Sequence, residues 1–492
     1  MLLLSLGFLL LSLVAYGVLE DFPNSADEYA YVFQAETFRH GRLWNPLPPA
    51  TDFFRYNHLI EKDGKFLSRF PPGWPLVLAV ASALAVPRGV VSSIVGVLSL
   101  AVLYRIGRRL YGAGTGLLAC FLLLPSAFFL FTNASYFSHA FCALTVLLFI
   151  DLCLCHRADR RPVSALSAGL CLGLCFATRY YTALLAGLPV ALAFAAERRW
   201  RSLLLLGLGG SPIVVLLGLY NTAITGHPLL MVTTWYDPAE VLGFTNGHSL
   251  RHGLHLLVGR LLLFMRWTAP TMLPLYLVLC MRRPGRRTPL LYPVPFIAIA
   301  LGYVFFWSSG SNQYGPRFYY EGYPLVVLFV TSQLVERRPL RGRAVLVSLL
   351  LAGQFVGLGT TVYLAVRQHR VVEERLDLYR QVEAAHLADA IVFIASGTGV
   401  LSEMPIGDLT RNGLDFTGSV LYAWDRGPDN RRLMAQYPTR RFYRYVRAPR
   451  AVHGQLLPVT GGVLPSAQPR DIGLQVPCLR PARADGGIEL KP

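Results

Sequence analysis

Long apolar runs separated by short basic connections fill most of the chain, and one polar stretch near the start, residues 20–75, interrupts that rhythm. Residues 2–19 form the first apolar run. No Lys or Arg precedes it and Ala15-Tyr16-Gly17 is a poor cleavage pattern, so it reads as an uncleaved first helix rather than a signal peptide. Residues 74–86 are apolar for about 13 positions, short of the roughly 20 needed to cross hydrocarbon, and are expected to lie along the interface. Further helices are expected over 89–105, 112–131, 138–155, 163–178, 181–196, 202–225, 267–281, 289–308, 320–335 and 343–366, which with the first makes about eleven spans.

The positive-inside rule tests this pattern. If residues 74–87 do not span, Arg105, Arg108 and Arg109 share one side with the basic groups at 157–161, 198–201, 282–287 and 337–343. That side is then cytoplasmic, and the first loop, residues 132–138, 226–254 and 308–322 emerge outside. Lys62 and Arg317 are accordingly expected outside, with Arg198 and Arg338 inside. Arg179 falls at the outer face without neighbouring basic residues, which marks it for a specific contact.

After about residue 366 the composition turns charged and mixed. Short buried strands are expected at 390–395 and 419–423, a helix at 429–436 and an alternating strand at 441–446. These form a small α/β module over 367–447 on the outer side, packing over the outer loops. Residues 448–492 are rich in Pro and Gly and are expected to be largely irregular. The fold class is therefore an all-α polytopic membrane protein, residues 1–366, with a small extracytoplasmic α/β module.

Composition agrees. Of 492 residues 53% are hydrophobic and only 15% charged, too apolar for an ordinary soluble domain. The net charge of +18 lies in loops between spans, so it reads as topology and not as a nucleic-acid surface. Seven of the eight cysteines lie in or beside apolar runs, with no disulfide or metal spacing.

The candidate chemistry sits in the first loop. Residues 27–40 have helical spacing, which places Asp27 and Glu28 in a first turn, where acids also suit the helix dipole. Residues 53–70 read as a hairpin turning at Asp63-Gly64, with His58 on one arm and Arg69 at the far end. In the outer segment 311–321, Gly315-Pro316 marks a turn that puts Arg317 and Glu321 one helical turn apart near the next helix.

An Asp-Glu pair leading a helix just after the first membrane segment, then Gly41-Arg42-Leu43-Trp44-Asn45-Pro46 and Phe70-Pro71-Pro72-Gly73-Trp74-Pro75, resembles the GT-C superfamily of polyprenyl-phosphate-sugar glycosyltransferases. The closest pattern is the branch with bacterial aminoarabinose transferases and protein O-mannosyltransferases. The resemblance covers residues 1–366 in architecture and is motif-specific over 25–75 and 311–321. It implies Asp27 as catalytic base and Arg69 as a donor-phosphate contact, although here Phe70 stands between that Arg and the prolines.

Physical reasoning agrees. Transfer of a sugar from a lipid phosphate needs a carboxylate to accept the acceptor's proton and cations to stabilise the departing phosphate. Asp27 supplies the first, with Glu28 and Asp21 as rival bases; Arg69, Arg179 and Arg317 supply the second. His58, Tyr314 and Glu321 are candidate acceptor or sugar contacts. No metal or other cofactor is expected to be obligatory, although the acidic pair with His58 could bind a cation. The expected activity is an inverting transferase at the outer face of a bacterial inner membrane, taking a lipid-linked donor and a lipid, glycan or protein acceptor. The rival is a transporter or flippase of a lipid-linked saccharide; it is disfavoured because ionisable residues are sparse mid-helix. A silent scaffold is the third reading.

Overall fold

The computed structural model describes residues 1–238, 241–281, 294–310, 313–336, 340–394, 411–447 and 451–459. Helix α1 (Leu2–Ser12) runs on through a wider π-helical turn, Leu13–Val18, and the polar loop follows. Within that loop, α2 (Ala26–Arg39) starts where the Ser25 hydroxyl accepts the Glu28 N–H at 3.2 Å and donates to the Glu28 carboxylate at 2.9 Å, a local variant of the capping box.

Three short strands follow: β1 (Asn45–Pro46), β2 (Leu59–Lys62) and β3 (Lys65–Ser68), ordered β1-β3-β2. The hairpin turns at Asp63-Gly64 as expected, with both residues at positive φ (50° and 73°), the backbone that a two-residue turn between twisted strands requires. Helix α3 (Gly73–Ala83) is short, in keeping with an interfacial segment.

The helical body comprises α4 (Arg88–Tyr111), α5 (Ala113–Leu123), α6 (Ala127–Ala134), α7 (Ser138–Asp159), α8 (Pro162–Ala196), α9 (Trp200–Thr225), α10 (Val232–Tyr236), α11 (Leu250–Trp267), α12 (Met272–Met281), α13 (Val294–Gly302), α14 (Tyr323–Glu336) and α15 (Leu340–Ala384). Among the described residues five helices are long and apolar enough to cross a membrane, or seven if the bent pairs α5/α6 and α11/α12 each count as one span. The expected count of about eleven is thus not reached by length and composition.

Three differences account for much of the gap. The helices expected at 163–178 and 181–196 are both present, but they meet end to end at a kink at Arg179 (φ −150°, ψ 81°) and so count as one long element, α8. The segment 112–131 bends by 77° at Pro125, which has no N–H to continue the ladder. And α11 begins at residue 250, inside the expected loop: Arg251, His252, His255, Arg260 and Arg266 disguised a helix in which the side chain of Arg260 is buried and donates to the carbonyls of Tyr303, Phe306 and Ser309. Part of the segment 289–308 and the basic groups at 282–287 lie outside the described residues, as does Arg338.

Helix α15 continues through the expected boundary at residue 366 to Ala384. Beyond it β4 (Ala390–Ile394) pairs in parallel with β5 (Val420–Trp424) and with β6 (Arg441–Val446), and α16 (Asn430–Gln436) lies between the last two in sequence. A fourth strand, β7 (Gln455–Pro458), pairs antiparallel with β6 within the segment expected to be largely irregular; it is an edge strand, where proline is tolerated. Residues 460–492 lie outside the described residues.

The sheet is fastened to the first loop and to α15. Arg42 meets Asp415 at 2.7 Å, the Trp424 indole N–H donates to the Arg55 carbonyl at 2.6 Å, Phe54 packs on Phe416, and the Tyr445 hydroxyl donates to Asp377 at 2.6 Å.

Candidate active site

Four segments of the chain converge on a cavity of about 1090 Å³. The first turn of α2 brings Asp27. The hairpin brings His58 just before β2 and Arg69 just after β3, held level by the bond from the Arg69 N–H to the His58 carbonyl at 3.0 Å. The break in α8 brings Arg179, and the turn before α14 brings Tyr314 and Arg317. All six line the cavity.

Asp27 lies 3.6 Å from Arg317 and 3.8 Å from His58, close enough for strong fields and too far for tight pairs. Burial pushes its carboxyl up, but Arg317, His58, Arg69 and Arg179 outweigh burial and hold it below the ordinary aspartate value. Asp27 is therefore ionised at neutral pH. Burial pushes His58 down to about 4; Asp27 opposes this and Arg69 and Arg317 add to it, so His58 is neutral there. Arg317 is buried and its guanidinium lies over the Phe137 ring at 4.1 Å, which fixes the cation without neutralising it.

Glu28 and Glu321 do not line the cavity. The carboxylate of Glu28 is fully buried and accepts the Tyr136 N–H at 3.0 Å as well as the Ser25 hydroxyl, so it ties α2 to the segment before α7. Asp21 accepts the Gly89 N–H at 3.0 Å and so anchors the start of α4. Glu321 is also buried, with His139 Nδ1 at 2.9 Å and Arg179 Nε at 3.2 Å. It holds Arg179 from behind, while the Arg179 guanidinium donates to the Tyr303 hydroxyl at 3.3 Å.

Sequence reasoning passed over His139 and Tyr31, which both line the cavity, and Arg266 and Arg367 at its α11 and α15 walls. His139 had a visible signal, a histidine one residue into an apolar helix. The two arginines had none, because one stood just before the helix expected at 267–281 and the other beyond the expected end of the last span. Among the described residues no three His, Cys, Asp or Glu side chains converge as a metal site.

The chain has a GT-C-type fold, shared with two solved structures. ArnT from Cupriavidus metallidurans bound to undecaprenyl phosphate superposes with a TM-score of 0.60 at 14% identity, covering 94% of this chain and 99% of that one. Its apo state gives 0.59 at 16% identity, covering 93% and 98%. A family model described as dolichyl-phosphate-mannose-protein mannosyltransferase matches residues 71–221, which include Arg179 but not Asp27. A second, described as a domain of unknown function, matches residues 390–465 and so spans the C-terminal sheet. No curated protein sequence matches the chain significantly.

Proposed function

We propose that the protein is a membrane glycosyltransferase that moves a sugar from a polyprenyl-phosphate donor to an acceptor hydroxyl, with inversion, at the outer face of a bacterial inner membrane. The observation that carries this reading is the placement of one ionised carboxylate, Asp27, on a cavity wall shared with Arg69, Arg179 and Arg317. That a protein of the same fold holds undecaprenyl phosphate supports the choice of donor.

In the proposed step the acceptor O–H gives its proton to Asp27 as its oxygen bonds to the anomeric carbon. The bond from that carbon to the phosphate oxygen breaks on the opposite face, and its electron pair leaves on polyprenyl phosphate. One displacement inverts the anomeric centre. The guanidinium groups take up the charge of the leaving phosphate, so the step calls on no metal. The same cations tune the base: they depress Asp27, and the phosphate of a bound donor offsets their field and restores basicity when an acceptor is to be deprotonated. His58 and Tyr314 face the sugar or acceptor, and Glu321 acts through Arg179.

Membranes containing the protein, supplied with labelled polyprenyl-phosphate sugars, test the activity: label should reach an acceptor with the parent protein and not with Asp27→Asn. Orientation is tested by single cysteines and an impermeant reagent. Position 62 should label from outside and position 198 should not; labelling at 198 would invert the arrangement and move the site to the other face.

A further inference from the structure

One wall of the cavity is polar and lies away from the guanidinium cluster's contacts with Glu321. Strand alternation turns Leu59 and Glu61 of β2 to the cavity, while Ile60 and Lys62 face the other way. Lys62 uses that outward position to clamp α10, donating to the Trp235 carbonyl at 2.6 Å with its ammonium 4.8 Å from the Trp235 ring centre. The clamp brings Thr233 and Tyr236, three residues apart on one face of α10, to the cavity beside Glu61 and Asn57.

Two features of this wall call for a ligand. Thr233 lines the cavity and is only 7% exposed, and its hydroxyl is buried with no hydrogen-bond partner. An orphaned buried hydroxyl is unfavourable unless something supplies its partner. The one carboxylate on the wall, Glu61, is neutralised by Arg55 at 2.9 Å, so the wall offers hydroxyl, amide and phenol groups with no net charge.

We infer that this wall, Thr233, Tyr236, Asn57 and the Arg55–Glu61 pair, is the pocket for the transferred sugar, and that it selects a neutral polyhydroxylated sugar over an amino sugar or a uronic acid. The inference rests on the proposed lipid-phosphate donor. Arg69 stands at the end of β3 beside the wall, so a donor phosphate held there projects its sugar onto it. Sugar hydroxyls satisfy Thr233 and the Asn57 amide, and a site built for such bonds rejects ligands that leave its groups unpaired. An ammonium on the sugar would meet a carboxylate already committed to Arg55; a sugar carboxylate would meet the same Glu61.

The test measures binding by the full-length protein of four lipids: bare polyprenyl phosphate and polyprenyl phosphates carrying a neutral hexose, an amino sugar and a uronic acid. The neutral sugar lipid should bind most tightly of the three. Thr233→Val and Tyr236→Phe, each removing one hydroxyl at nearly constant shape, should weaken it about 3- to 10-fold and leave the bare lipid unchanged. Glu61→Gln should uncover Arg55 and shift preference toward the uronic acid. Tighter binding of the amino-sugar lipid, or equal loss for bare and sugar-bearing lipids in both hydroxyl variants, or no loss in either, would overturn the inference while leaving the donor class standing. Failure of the bare lipid to bind the parent protein would overturn the donor reading and this inference with it.

Discussion

Two groups in this protein have the same inventory, one carboxylate, one histidine and one arginine, and opposite fates. In the first, Asp27 stands 3.6 Å from Arg317 and 3.8 Å from His58, on a cavity wall and 25% exposed. In the second, Glu321 stands 2.9 Å from His139 and 3.2 Å from Arg179, and is 0% exposed. Tight contact and full burial spend a carboxylate on structure. Loose contact with several cations and an open side leave it free to act on a ligand. The difference teaches that acidity and neighbours alone do not mark the base; what counts is whether the carboxylate's open lone pairs face the cavity.

The sharpest way to break the comparison is to remove each carboxylate. Asp27→Asn keeps size and hydrogen-bonding shape but cannot accept the proton, so turnover should fall by about two to four orders of magnitude, while polyprenyl-phosphate binding and thermal stability survive. Near-normal turnover would take Asp27 out of the mechanism. Glu321→Leu should act chiefly on stability, with any loss of turnover following through Arg179. It strands Arg179 and His139 in a buried site, a loss of about 3–5 kcal/mol that should appear as a lowered unfolding temperature of the purified protein. A variant as stable as the parent would show that the buried group is not structural.

Arginine substitutions sharpen the contrast at intermediate size. Arg317→Ala removes a cation that the structure leaves open to a ligand, so affinity for polyprenyl phosphate should drop about 10- to 100-fold, the worth of a charge-assisted hydrogen bond. Since Asp27 also loses the cation that acts on it most strongly, its carboxyl should titrate higher, and the acid limb of the pH–rate profile should move toward neutrality.

The smallest effect belongs to Glu28, the neighbour of Asp27 in sequence. Burial pushes its carboxyl up to about 7 against the Tyr136 N–H, the Ser25 hydroxyl and the fields of Arg375 and Arg317. A carboxyl raised above its ordinary 4.5 contributes its full stability below that value and loses it as pH rises through about 7. Glu28→Gln can keep both hydrogen bonds and has no charge to bury. Its unfolding temperature should therefore change less than the parent's between those two pH values, with turnover close to the parent's. A large loss of turnover would make Glu28 a base and dissolve the distinction between the two adjacent acids.

Much of this was legible in the chain because the signals are local. Hydropathy and helical periodicity mark α4, α7 and α9 directly; Ser25 before an acidic pair marks the start of α2; Asp63-Gly64 marks the turn of the hairpin; and short β-branched and aromatic runs mark β4, β5 and β6. These depend on backbone conformations and side-chain spacings within a few residues, which sequence carries on its face. That an acid, a histidine and arginines gather at one site was legible too, from where they fall between apolar runs.

What only the tertiary structure decided depends on contacts between distant residues. Sequence offered Asp27 as the base with Glu28 and Asp21 as rivals; the contrast between the two adjacent acids comes from Tyr136 and Ser25, which occupy one carboxylate, and from Arg317, which stands back from the other. Helix α11 was hidden because Arg260, a charge that local rules place in a loop, is buried by carbonyls supplied some 43 to 49 positions later. The choice of Glu321 as the anchor of Arg179 likewise rests on Tyr303 and His139 from distant segments. A buried charge is stable only where distant groups satisfy it, and the position of those groups is a property of the folded chain, not of the neighbourhood of any one residue.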